Sequence, residues 1–152
     1  MRLKSNKNLN KLLLQNLNKK SQPKKRNQEE RKICIEFNNI LNGYKNLNLI
    51  CYDVFYWHHS PNGGARNAIE GKNFKMMGVK KGFWDYIFIY GNITDPSYRL
   101  LFMEAKKDKS SKLSIDQIEF KKLLDSLNID NYVFYNAQDA VNYLVDKKIL
   151  AK

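Results

Sequence analysis

The stretch WDYIFIYGNITDPSYRLLFMEAK, Trp84 to Lys106, decides how the chain is read. Two runs rich in β-branched and aromatic residues, Trp84 to Tyr90 and Arg99 to Lys106, flank GNITDPSY, whose Gly, Asn, Asp and Pro mark a loop. Paired as a simple antiparallel hairpin with Tyr90 facing Arg99, a register that follows from the strand ends, they put Asp85 opposite Glu104. Facing residues lie roughly 4.5–5.5 Å apart at Cβ, and like charges so placed repel unless a cation sits between them. The two-residue period of a strand puts Lys106 on the same face as Glu104. Two carboxylates with a lysine beside them suit phosphodiester hydrolysis: hard oxygen ligands bind Mg²⁺, which lowers the pKa of a bound water. The lysine can position that water or offset charge in the transition state. The other reading leaves Asp85 and Glu104 in solvent at strand ends, with Lys106 opening a charged loop.

Outward from the hairpin, the lysine-rich KKDKSSK leads into SIDQIEFKKLLDSL, a helix with Ser114 as N-cap and Ile115, Ile118, Leu123, Leu124 and Leu127 on a stripe. Gln117 is three residues after Ser114, where S-x-x-Q is a capping box; it is either that or a polar group of the site. A short strand, YVFY, and a last helix, NAQDAVNYLVDKK, complete the chain.

On the N-terminal side, Ile33, Phe37, Ile40 and Leu41 predict a helix over Gln28 to Leu41, stopped by Asn42-Gly43. On a helical wheel Glu30 falls in the arc of Ile33, Cys34, Phe37 and Leu41, while Glu36 lies at its edge. An acid on an apolar face needs a partner such as a metal site, or is a first-turn Glu favoured by the helix dipole. LNLICYDVFYW, Leu47 to Trp57, reads as a long strand, SPNGG breaks it, and residues 65 to 77 form a loose helical stretch interrupted by Gly71 and capped by Gly78. The order of one helix, three strands, a helix, a strand and a helix predicts an α/β fold with a mixed sheet flanked by helices.

The chain's two histidines are adjacent, in WHHSPNGGARN, Trp57 to Asn67. Neighbours on a strand point to opposite faces, so His58 and His59 do not easily share one metal. Asn62, Gly63, Gly64 and Arg66 instead offer backbone N–H groups and a guanidinium to a phosphate; the plainer reading is a strand-to-helix turn.

The 152 residues suffice for one core, and the net charge of +12 is unevenly placed. Residues 1 to 32 hold eleven Lys/Arg against Glu29 and Glu30; the other 120 hold sixteen against thirteen acids. Residues 1 to 27 read as a basic arm preceding a domain over 28 to 152. Such an arm favours nucleic acid, which carries a negative charge about every 1.7 Å of duplex axis, and KSQPKKR also resembles a nuclear-address patch. Lys72, Lys75, Lys80 and Lys81 are phosphate contacts or a solvated face. No apolar run approaches the ~20 residues of a membrane span, so an intracellular protein, cytoplasmic or nuclear and not secreted, is expected. Cys34 and Cys51 lack CxxC spacing and read as reduced core residues.

Taken together, GVKKGFWD, LFMEAKKD and LSIDQIEFKKLLDSLNIDNYVFYNAQDAVNYL resemble the VRR-NUC group of nucleases within the PD-(D/E)XK superfamily, above all its small stand-alone viral members. The resemblance spans roughly Glu30 to Leu144 and suggests a viral origin. It implies a restriction-endonuclease-like core and cleavage of DNA with Mg²⁺ or Mn²⁺. In site residues it implies Asp85 and Glu104 on the metal, the Ala105 backbone carbonyl as a further ligand, Lys106 as catalytic lysine, and Gln117 and Glu30 in support. It further implies a homodimer acting on branched or four-way-junction DNA in repair, recombination or replication. Where the family usually has proline before the metal-binding aspartate, this chain has Trp84. The competing class is a non-catalytic basic nucleic-acid-binding protein whose acids are structural.

Overall fold

A computed structural model describes residues 26–60 and 68–152. It is an α/β fold: helix α1 (Arg26–Asn46), strand β1 (Val54–His59), helix α2 (Ala68–Met76), strands β2 (Tyr86–Asn92) and β3 (Asp95–Ala105), helix α3 (Ile115–Ser126), strand β4 (Asp130–Phe134) and helix α4 (Ala137–Asp146). The open sheet runs β1-β2-β3-β4. Its first two pairings are antiparallel and β3–β4 is parallel, joined by the α3 crossover. Among the described residues no helix is long and apolar enough to cross a membrane.

Side-chain alternation sorts the sheet into two faces. Tyr86, Phe88, Leu101, Met103 and Phe134 join Phe37 and Leu41 of α1 and Ala140 and Leu144 of α4 in the larger core. Burying these side chains is worth roughly 1.5–3 kcal/mol each before chain entropy is subtracted. On the other face Trp84, Phe102 and Leu124 form a smaller core with Phe83, Phe120 and Val133 under α3. The β2–β3 register is the expected one, Tyr90 opposite Arg99 and Tyr86 opposite Met103.

Several boundaries differ from the sequence reading. Helix α1 runs through Gly43 to Asn46, because the fully buried Phe37 and Leu41 and the packed Tyr44 hold it past a local stop signal. Leu47 to Asp53 are not strand: Asn48 takes φ 55°, and Ile50 makes only an isolated bridge to Leu150. β-Propensity there reflects aromatic and branched side chains packing, which a loop also achieves. Gly71 does not interrupt α2, whereas Gly78 follows it at φ +87° as expected. Most of GNITDPSY belongs to strands, leaving Ile93 and Thr94 as the turn and a register shift at Gly91. The stripe expected on α3 is exposed at Ile115, Ile118, Leu123 and Leu127; Gln117, Phe120 and Leu124, at i, i+3 and i+7, face the sheet instead. Cys34 is buried, but Cys51 is exposed because its segment is a surface loop. The proposed arm, apart from Arg26 and Asn27, lies outside the described residues.

Gly82 sets how the chain enters β2. It takes φ +76°, and a Cβ there would lie 2.4 Å from the carbonyl carbon of Asp116, so only glycine lets this loop touch the first turn of α3. Gly82→Ala should therefore lower thermal stability by roughly 2 kcal/mol or more. Gly43→Ala, in helical backbone with open space at its Cβ, should raise it by about 0.5–1 kcal/mol. Thermal unfolding followed by circular dichroism checks both, and equal effects would contradict the assigned backbone.

Candidate active site

Asp85 sits one residue before β2, yet the ladder continues through its side chain. The Ala105 N–H donates to Asp85 Oδ2 at 3.0 Å, and the Asp85 N–H donates to Glu104 Oε2 at 3.1 Å. Each carboxylate is thus fixed by the other strand's backbone, as the hairpin register requires. On the far side of Asp85 its carbonyl accepts from Ser60 N–H at 2.7 Å, so the residue is held from both neighbouring strands.

Glu104 is 2% exposed and Lys106 7%, and they are the buried charged residues among those described. Lys106 Nζ donates to Glu104 Oε1 at 2.6 Å and to Gln117 Oε1 at 3.0 Å. The Gln117 amide nitrogen donates to Glu104 Oε1 as well. Gln117 also completes the capping box: its N–H donates to Ser114 Oγ at 3.2 Å and its Oε1 accepts from Ser114 N–H at 2.9 Å. The two readings of Gln117 thus coexist, since its Oε1 serves the cap and the lysine together. Trp84, fully buried, donates from Nε1 to the Gln117 carbonyl at 3.3 Å, tying the residue before Asp85 to the same helical turn.

Helix α1 approaches from the other face of the sheet. Tyr86 Oη donates to the Cys34 carbonyl at 2.9 Å, and Glu30 lies one turn ahead of Cys34. Burial, then the nearby Asp85 charge, pushes the Cys34 thiol up to about 12. Glu30 is half-buried, and its charge adds the smallest of the contributions that raise Cys34, Asp85 and Glu104. Glu36 is exposed.

Burial and then the Glu104 charge push the Asp85 carboxyl up to about 7. Burial raises Glu104 too, against the pull of Lys106. Among the described residues no group of three His, Cys, Asp or Glu side chains is placed to hold a metal ion. The donor set that is present consists of the Asp85 and Glu104 carboxylates, with the Ala105 N–H bound to Asp85. Asp85 Oδ1 enters none of these hydrogen bonds. Closely placed, partly desolvated carboxylates suit a hard divalent cation, whose charge removes their repulsion.

The other expected residues divide. Lys80 and Lys81 are exposed on the loop leading to Asp85. Lys72 and Lys75 are exposed on α2. Asn62, Gly63 and Arg66 lie outside the described residues. His58 is exposed, while His59 lies over Tyr86 with ring centroids 4.7 Å apart, on the opposite face. Sequence reasoning missed Trp84 as a brace and Ser60 as the neighbour of Asp85; in Trp84 the signal was a large aromatic directly before a charged residue.

The Asp85 shift has a defined sign. Between its ordinary value of 3.8 and about 7, the folded chain keeps a proton that the unfolded chain has released, so stability falls as pH rises across that window. In EDTA the melting temperature should fall from pH 5 to pH 8. Asp85→Asn, which keeps an acceptor for the Ala105 N–H, should flatten that fall and melt several degrees above the parent at pH 8. His59, lowered by burial, titrates in the opposite sense in both proteins, so the difference between them is the readout; identical pH slopes would count against repulsion at Asp85. No family model, curated protein or solved structure matches the chain.

Proposed function

We propose that the protein is a metal-dependent deoxyribonuclease that hydrolyses phosphodiester bonds at Asp85, Glu104 and Lys106. The observation that carries this reading is the burial of Glu104 and Lys106 beside Asp85, with Gln117 joining lysine to glutamate. Burying charge is costly, and structural acids of a surface strand have no need of it. The resemblance to VRR-NUC nucleases supports the same assignment, as does the mixed sheet in which β3 carries both Glu104 and Lys106; a restriction-endonuclease-like core is the fold this implies.

In this mechanism Asp85, Glu104 and the Ala105 carbonyl would hold Mg²⁺, or Mn²⁺ in its place, and Glu30 adds negative charge behind them. When bound, the cation supplies Lewis-acid stabilisation of the phosphoryl oxygens and lowers the pKa of the attacking water. Lys106 holds its ammonium at the carboxylate edge, where it offsets charge developing on the phosphate. Gln117 orients that ammonium through Oε1 and Glu104 through its amide nitrogen, and Trp84 and Ser114 fix Gln117. Lys80 and Lys81 contact the DNA backbone and position it without reading sequence.

The same reading includes a homodimer acting on branched or four-way-junction DNA, to which α3's exposed Ile118, Leu123 and Leu127 offer apolar surface. It places the protein inside the cell, in a compartment that holds DNA.

Labelled linear, nicked, flapped and four-way-junction DNA, incubated with Mg²⁺ or EDTA, tests the proposal. Cleavage should require the cation, and Asp85→Asn and Lys106→Ala should each lower the rate roughly 100-fold or more. If nothing is cut, or the variants cut as well as the parent, the acids are structural and the basic nucleic-acid-binding alternative is correct.

A further inference from the structure

The KKDKSSK segment was read from sequence only as a charged loop, but the fold makes it a lobe whose stem is the candidate site. Its two ends close on one atom: Lys106 Nζ and the Ser114 N–H both donate to Gln117 Oε1, at 3.0 and 2.9 Å. Leu113, just before Ser114, packs on the smaller core. The lobe is also organised inside. Asp108 Oδ1 accepts from the Ser110 N–H at 2.9 Å and Oγ at 2.6 Å, and from the Ser111 N–H at 2.9 Å and Oγ at 3.0 Å. Asp108 Oδ2 is 3.3 Å from Lys107 Nζ.

The one acid of the lobe is therefore turned inward and matched, whereas Lys109 and Lys112 are exposed and, among the described residues, in no ion pair. Farther along the chain, Lys121 and Lys147 are instead paired with Asp125 and Asp130, at 2.8 and 2.9 Å. Neither Lys109 nor Lys112 is more than three residues from the stem, a reach of about 10 Å. A strand of duplex presents a phosphate about every 3.4 Å of axis, so the phosphates beside the scissile one fall within that reach. The contact of Gly82 with the Asp116 backbone holds the loop of Lys80 and Lys81 against the first turn of α3.

We propose that the lobe from Lys107 to Leu113 is the DNA-backbone grip of the site, with Lys109 and Lys112 on flanking phosphates and Asp108 as the internal brace that holds them in place. The inference rests on the nuclease reading for its substrate. It assigns Asp108 a role opposite to its charge: an acid that favours binding to a polyanion.

Binding of the full chain to a fluorescent duplex carrying a single-stranded flap, measured by anisotropy in EDTA across a salt series, tests this without cleavage. Each lost phosphate contact lowers the slope of log affinity against log salt by about 0.9. Lys109→Ala with Lys112→Ala should lower it by about 2, whereas Lys152→Ala, an equal loss per residue at the chain's C-terminus, should lower it far less. Asp108→Ala should bind several-fold more weakly than the parent although the protein becomes more basic, and Asp108→Asn, which keeps the acceptor, should restore binding. Circular dichroism confirms that each variant is folded. An unchanged slope in the double variant, tighter binding by Asp108→Ala, or no binding by the parent would overturn the proposal. A chain that binds as described but cuts nothing keeps the grip and loses the nuclease assignment; one that cuts with unaltered slopes does the reverse.

Discussion

The structure depends on holding two carboxylates side by side at one end of its two central strands. Asp85 and Glu104 repel, and burial deprives them of the water that would weaken that repulsion. They remain together because each accepts a hydrogen bond from the opposite strand's backbone and because Lys106 and Gln117 share one oxygen of Glu104. Trp84, Gly82 and the capping box at Ser114 all serve the same end, since each fixes the first turn of α3 and with it Gln117. A lapse in any of them frees Glu104 from its partners without removing its burial.

The central pairing was legible because strand register is a local rule. The ends of two apolar runs place Tyr90 opposite Arg99, and alternation does the rest. The capping box at Ser114 was legible for the same reason, being a four-residue pattern with its own hydrogen bonds. What the sequence concealed was decided by tertiary packing. Gly43 looks like a helix stop until Leu41 and Tyr44 are known to pack on the core. Leu47 to Asp53 carry strand-forming residues, but among the described residues they pair only through the isolated bridge of Ile50 with Leu150. The apolar residues of α3 outnumber those its face can bury, so periodicity chose the wrong stripe.

Within the site, identities were easier to read than connections. Two acids and a lysine can be placed on one face from spacing alone, whereas the junction at Gln117 Oε1 joins residues 106, 114 and 117 through a side chain whose cap role seemed sufficient. The tryptophan before Asp85 was noticed as a departure from proline. Its indole N–H reaches the Gln117 carbonyl, so a long-range hydrogen bond and burial fix the segment that enters β2.

The charge distribution bears on the two classes of function that composition left open. A protein that only binds a polyanion gains from exposed lysines and loses from any acid near them, and a net charge of +12 would be served best by keeping Glu104 in solvent or replacing it. Here Glu104 is 2% exposed and bonded to the buried Lys106, so a cation is withdrawn from the surface to hold an acid in place. Well-packed apolar residues of similar volume would stabilise these positions as well or better. An arrangement that lowers both polyanion affinity and packing quality favours the proposed reading, in which the acids and the lysine act on something that approaches them.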